Sequence, residues 1–219
     1  VVAILASAFV SVMIPTMISG ALAHNSRGAV NWKAAVTMGC TAIFGGLAGG
    51  TLASHLPGIV LRTFFALLII FMAVRMVWHI HSCPTCEPGG STGIYIAIGF
   101  FIGIISGLAG IGGGVLLVPV LVILLSYPMH KAVGTSSACL IFSSAGAVTA
   151  YVINGWGVAG LSPYSVGYVD LVTFAILAAT TIPLARFGVR CAHRFSGRNL
   201  QIVFAGLLIL IGVLMLVEG

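Results

Sequence analysis

Long apolar stretches separated by short polar breaks run the length of the chain. The apolar segments cover roughly residues 1–23, 34–54, 59–78, 93–107, 115–126, 132–153, 166–187 and 199–217. The breaks are His24-Asn25-Ser26-Arg27-Gly28, His55-Leu56-Pro57-Gly58, the stretch from Trp78 to Thr92, Tyr127-Pro128-Met129-His130-Lys131, Asn154 to Pro163, and Arg186 to Asn199. A run of about 20 apolar residues is the length of a helix that crosses a bilayer, and six segments reach it. Segments 93–107 and 115–126 would rise only about 22 and 18 Å, against a hydrocarbon core of about 30 Å. They are joined by Gly107-Leu108-Ala109-Gly110-Ile111-Gly112-Gly113-Gly114, a run that no continuous helix tolerates. The pair is predicted to form a broken helical hairpin that leaves and returns on one side. The first segment opens inside an apolar run without a basic flank or a cleavage-site pattern, so it reads as a span already under way rather than a signal peptide.

Composition turns this pattern into a class. Of 219 residues, 60% are hydrophobic and 5% charged, whereas an average soluble domain carries about 25% charged residues. Nine Lys and Arg with three Asp and Glu cannot solvate a globule of this size, which excludes a soluble enzyme. Long apolar runs exclude a disordered chain, and five scattered Cys exclude a disulfide-stapled domain. The net charge of +6 is spread singly or in one short segment between apolar stretches. That is how membrane proteins fix orientation, not how a nucleic-acid surface is built. The lipid bilayer is the expected partner, and nucleic acid is not.

An internal repeat adds symmetry. A shift of 139 positions lays Gly49, Ala53, Gly58, Leu61, Phe65, Ala66 and Leu68 onto Gly188, Ala192, Gly197, Leu200, Phe204, Ala205 and Leu207. A shift near 130 places Ser7-Ala8 on Ser137-Ala138. Residues 1–80 then form a first repeat lacking its opening hairpin, 81–92 an inter-repeat loop, and 93–219 a second repeat. By the positive-inside rule, Arg186, Arg190, His193, Arg194 and Arg198 mark a cytoplasmic loop, as do Arg27 and Lys33. Both loops stay inside only if the hairpin re-enters on its own side. The predicted fold is therefore all-α: a polytopic membrane protein of two inverted repeats, each a Gly-broken hairpin plus three transmembrane helices, an arrangement found among secondary transporters.

The glycine break carries the candidate chemistry. Gly110, Gly112, Gly113 and Gly114 let a ligand approach backbone N–H groups, and a helix restarting near Gly114 offers unpaired donors and the positive end of its dipole. Such a terminus suits an anion without any charged side chain. Gly45-Gly49 and Gly99-Gly103-Gly107 have the spacing of close helix crossings and read as packing. Gly134-Thr135-Ser136-Ser137 is predicted to open the next span, its hydroxyls capping the helix or donating to an anion.

The order GLAGIGGG-x-L-x-VP-x-L, a short loop, A-x-GTS and a span with Ser143-Ser144 resembles the TauE/SafE sulfite exporter family. The first half carries its weaker pattern: His24, Arg27-Gly28-x-Val30-x-Trp32, Gly45, Gly49, Leu56-Pro57 and Leu61-x-x-Phe64. The resemblance spans nearly the whole chain. It implies a permease, rather than an enzyme, for sulfite, organosulfonates or related small anions, often moving them outward, in a cell membrane of the bacterial inner-membrane type. It implies no cofactor and is compatible with a homo-oligomer. Gly110, Gly112, Gly113, Gly114, Thr135, Ser136 and Ser137 fall on the family's signature positions. Ser137 departs from the apolar residue more usual there, and the stretch from Val2 to Ala8 lacks GTS, so one half of any symmetric site is altered.

Other residues compete for a role. His79, His81, Cys83 and Cys86 have metal-ligand types at workable spacing in the inter-repeat loop, which supports an alternative reading as a metal-handling membrane protein. Asp170 is the one acid placed within a span and is a candidate for ion coupling. No chain of buried acids or histidines suggests a proton relay; outward movement of an anion from an inside-negative cell gains about 2.3 kcal/mol per charge at about 100 mV without one. A hydrolase would need a base beside a Ser, and only His130 flanks the hairpin. Cys40, Cys139 and Cys191 read as small apolar packing groups, and Trp32, Trp78 and Trp156 as interfacial aromatics.

Overall fold

Each apolar segment becomes one helix. The computed structural model describes residues 2–53, 55, 57–78, 90–109, 114–154, 165–166 and 169–217. Its helices are α1 (Val2–Asn25), α2 (Trp32–Ala53), α3 (Gly58–Trp78), α4 (Thr92–Ala109), α5 (Gly114–Leu124), α6 (Met129–Asn154), α7 (Leu171–Ala192) and α8 (Gly197–Val217). Two-residue strands β1 (Ser165–Val166) and β2 (Val169–Asp170) pair antiparallel just before α7, Ser165 opposite Asp170. The protein is an all-α, polytopic membrane protein. Among the described residues α3, α7 and α8 are each long and apolar enough to cross a bilayer.

Two boundaries differ from the sequence expectation. The helix predicted from residue 132 starts at Met129, where the Ala132 N–H bonds back to the Pro128 carbonyl. Gly134 to Ser137 therefore lie in its second turn and do not cap it. The helix predicted over 166–187 runs instead from Leu171 to Ala192, because Asp170 caps its start and the arginine-bearing turns continue it. Asp170 is thus an N-cap ahead of the helix and not a residue within the span.

Contacts between helices give their directions. Down the α1–α7 seam Thr16 meets Thr181, Ser19 meets Arg186 and His24 meets His193, so these helices are parallel. Between α3 and α8, Arg62 meets the Met215 carbonyl and Met76 meets Gln201, so those two are antiparallel. Gly99 of α4 lies against Met38 of α2, and Gly103 against Ala42, another parallel pair. Tyr95 near the start of α4 and Tyr127 just past α5 bring their hydroxyls to 3.2 Å. The α5 end of the hairpin therefore returns to the side from which α4 departs. At Ser126 a left-handed backbone (φ 53°) ends the α5 segment and turns the chain.

One end of the bundle collects the cations. Arg27, Lys33, Arg75, Lys131, Arg186, Arg190, Arg194 and Arg198 lie at or beyond this end or in the helix turns leading to it, eight of the nine Lys and Arg; Arg62 belongs to the other end. The short α5 sits in the middle, with Leu116, Leu117, Val118, Val120, Leu121 and Val122 all buried. A helix that is apolar on every side suits a protein core or lipid, and here its side chains lie in the core. Met38, Phe65, Ile69, Met76 and Leu208 pack around it, and Phe71, Ile176, Leu184, Phe187, Leu207 and Leu210 face outward. Such a continuous apolar exterior suits lipid contact. Cys139 is buried as expected, whereas Cys40 is exposed and Cys191 half-buried.

Candidate functional site

The polar groups of this apolar protein gather around α1, α6, α7 and the basic end. Asn31, just before α2, is a junction. Its backbone N–H donates to Thr135 Oγ1 at 3.1 Å, its Nδ2 to Tyr127 Oη at 2.9 Å, and its Oδ1 accepts from the Ala34 N–H. Thr135 is completely buried there, so its hydroxyl ties α6 to the start of α2. Ser136 and Ser137 both donate to the Val133 carbonyl at 2.9 Å, a local bond that an incoming acceptor can replace. His130 for its part bonds to the Ala192 carbonyl.

A cavity of about 250 Å³ opens between three helices, lined by Thr16, Met17, Gly20 and His24 of α1, Val133 and Ser137 of α6, and Ala185, Gly188, Val189 and Ala192 of α7. Among the described signature residues, Ser137 is the one that reaches it. The wall toward α7 is laced by hydrogen bonds: Thr16 to Thr181 at 3.0 Å and Arg186 Nε to Ser19 Oγ at 3.0 Å. Among the described residues no carboxylate pairs with this guanidinium.

Three histidines from three helices meet at the basic mouth of this cavity. His24 Nδ1 and His193 Nε2 are 2.9 Å apart, and the His130 ring stacks on that of His193 with centroids 4.8 Å apart. His24 is only 2% exposed. Burial first, then Arg27 and His130, hold the His193 imidazole below its ordinary pKa, so it stays neutral near pH 7. The cluster was invisible in sequence because its members stand in three different breaks. The one available signal was that all three breaks read as facing the same side. Among the described residues no trio of His, Cys, Asp or Glu is arranged to hold a metal. Here one imidazole nitrogen faces another at hydrogen-bond distance.

Asp170 has a different environment at the opposite end of α7. Its carboxylate accepts from the backbone N–H and the hydroxyl of Thr173, and these bonds hold its pKa below the usual carboxylate range. A carboxylate kept ionised by a helix cap serves the helix start. Of the glycine break, Gly114 is placed at the first turn of α5, while Gly110, Gly112 and Gly113 lie outside the described residues. So do His79, His81, Cys83 and Cys86.

A polytopic helical bundle with an internal cavity, a basic end and a returning half-length hairpin is the build of a membrane transporter. The model of the Sulfite exporter TauE/SafE family matches residues 1–215, and the chain belongs to that family. It is 28% identical over 189 residues, 85% of this chain and 69% of the other, to a probable membrane transporter protein of Methanocaldococcus jannaschii. It is 25% identical over 214 residues, 98% of this chain and 80% of the other, to a probable membrane transporter protein of Haemophilus influenzae. No solved structure matches it.

Proposed function

We propose that this transporter is a multi-pass permease of the cell membrane that carries small sulfur-containing oxyanions, sulfite or organosulfonates, through the space between α1, α6 and α7. The observation that carries the reading is the cavity itself, which joins Ser137 of the signature, Thr16 and His24 beside a basic end, with no acid among its described lining residues. Such a surface rejects cations and accepts a small anion. The Gly110–Gly114 break is the second half of the substrate site. The α5 helix of 11 residues spans about 16 Å at ~1.5 Å per residue, so its Gly114 end lies about halfway through a ~30 Å core. At that depth backbone donors and the helix dipole bind an anion without competition from bulk water.

The same reading makes residues 1–80 and 93–219 two inverted copies. Helix direction supports it: α1 against α6, α2 against α7 and α3 against α8 are the pairs the repeat equates. With α1 and α7 both descending to the basic end and α2 and α6 both starting there, each equated pair runs in opposite senses.

The test is flux into sealed proteoliposomes of the full-length protein, with sulfite, thiosulfate, sulfate, sulfoacetate and acetate compared. Saturable sulfite or sulfonate flux that Gly113→Leu abolishes in a folded protein is the expected result. Sulfur oxyanion flux no faster than that of acetate would overturn the reading.

A further inference from the structure

We propose that His24, His130 and His193 form a proton-linked anion site at the basic mouth of the cavity between α1, α6 and α7, where a small oxyanion is bound together with one proton taken up by the imidazole cluster. This deepens the functional reading above and rests on it.

The geometry sets the proton count. The 2.9 Å contact between His24 Nδ1 and His193 Nε2 needs one N–H and one lone pair. A neutral pair satisfies it, and so does a singly protonated pair, in which an imidazolium donates a stronger, charge-assisted bond to a neutral ring. A doubly protonated pair would turn two donors on each other and break it. The pair therefore accepts one proton without losing its tie between α1 and α7. His130 has its Nε2 3.3 Å from the Ala192 carbonyl, which can only accept, so that nitrogen carries the hydrogen and the ring lies stacked on His193.

The surroundings decide when that proton arrives. The groups facing the pair are Arg27 from the turn after α1 and His130 from α6, both of which oppose further positive charge. Lys131, Arg190 and Arg194 follow on α6 and α7 at the same end. The chain has three acids: Asp170 sits at the far end of α7, and Glu87 and Glu218 lie outside the described residues. Among the described residues no carboxylate neutralises the cluster, and an anionic ligand would supply that countercharge. His24 lines the cavity, so an oxyanion there lies one hydrogen bond away from His193, the less buried ring of the pair and the one better able to hold the proton. The anion raises proton affinity and the proton raises anion affinity by the same factor.

The experiment uses full-length protein in weakly buffered detergent at pH 7.5, with methanesulfonate as the probe because it does not titrate in this range. Adding it should draw about one proton per bound anion from solution, read by a pH indicator. Its affinity should rise about tenfold per unit as pH falls from 8 toward 6.5, the slope of one linked proton. In His193→Gln and His24→Gln the uptake should vanish while weaker, pH-independent binding remains. If His24→Gln does not fold, the half-exposed His193 position decides. Binding without proton uptake, or equal uptake in the folded variant, overturns the inference and leaves the anion reading standing. If no sulfonate binds at any pH, both fall.

Discussion

Two seams of parallel helices divide the labour in this molecule. Along α2 and α4, glycine meets backbone. A Cβ on Gly103 would stand 2.5 Å from the Ala42 carbonyl oxygen, and one on Gly45 or Gly49 would press into the carbonyls of Phe100 or Ile104. No space separates them, and the one hydroxyl against Gly99, that of Thr41, is turned back onto carbonyls of its own helix. Along α1 and α7 the contacts are instead side chain to side chain: a Thr pair, an Arg–Ser bond and a His pair, with a cavity beside them. In lipid there is no hydrophobic force between helices, so a seam holds by close van der Waals fit or by hydrogen bonds. Close fit is rigid because backbone cannot yield. Hydrogen bonds between hydroxyls and imidazoles can exchange partners, which is what a path for a polar solute needs.

Breaking the rigid seam should have the largest effect. Gly45→Leu or Gly103→Leu places a side chain where only backbone fits, and we expect loss of folded protein, well above the ~1–3 kcal/mol usual for overpacking, read as yield of monodisperse material. Gly206→Ala in α8, with nothing within 4 Å of the added methyl, should instead be neutral or stabilise by about 0.5–1 kcal/mol. Next comes Gln201→Leu, which removes the buried 2.6 Å bond from Nε2 to the Met76 carbonyl and should cost about 1–3 kcal/mol in thermal unfolding.

The exchangeable seam should respond in function before stability. Arg186→Leu, which frees Ser19, should lower anion flux several-fold while the melting temperature moves little; unchanged flux would remove Arg186 from the path. pH sharpens the comparison. Because the folded protein holds His193 below its ordinary pKa of about 6.5, the unfolded chain binds the extra proton first. Stability should be full above about pH 6.5 and fall as pH drops through the lower folded value, a slope that His193→Gln should reduce. The smallest effect is expected for Asp170→Asn, which keeps a capping oxygen: a slight drop in melting temperature with an unaltered pH–flux profile.

Hydropathy and glycine placement made much of the architecture legible before any coordinates. Eight apolar segments became eight helices, because in lipid every backbone group must be bonded within its own segment. The Gly45-Gly49 and Gly99-Gly103 spacings correctly read as packing, since only glycine on both faces lets two backbones touch. The interruption between α4 and α5 and the return of the hairpin followed from lengths and charges, and the Tyr95–Tyr127 contact agrees.

Reading the hydroxyls as helix caps failed, because the start of α6 is set by Pro128 and Met129 rather than by the first hydroxyl. Thr135 then serves Asn31, a partner no spacing could name. Asp170 looked like a buried acid, since hydropathy cannot see the turn and short strand pair that place it ahead of α7. The three histidines could not be grouped from sequence for the same reason. Local sequence decides which segments become helices, because helix formation in lipid depends on the apolar content of the segment itself. Which helices become neighbours, and so that His24, His130 and His193 share one mouth, depends on packing among residues far apart in the chain, and only the tertiary structure could decide it.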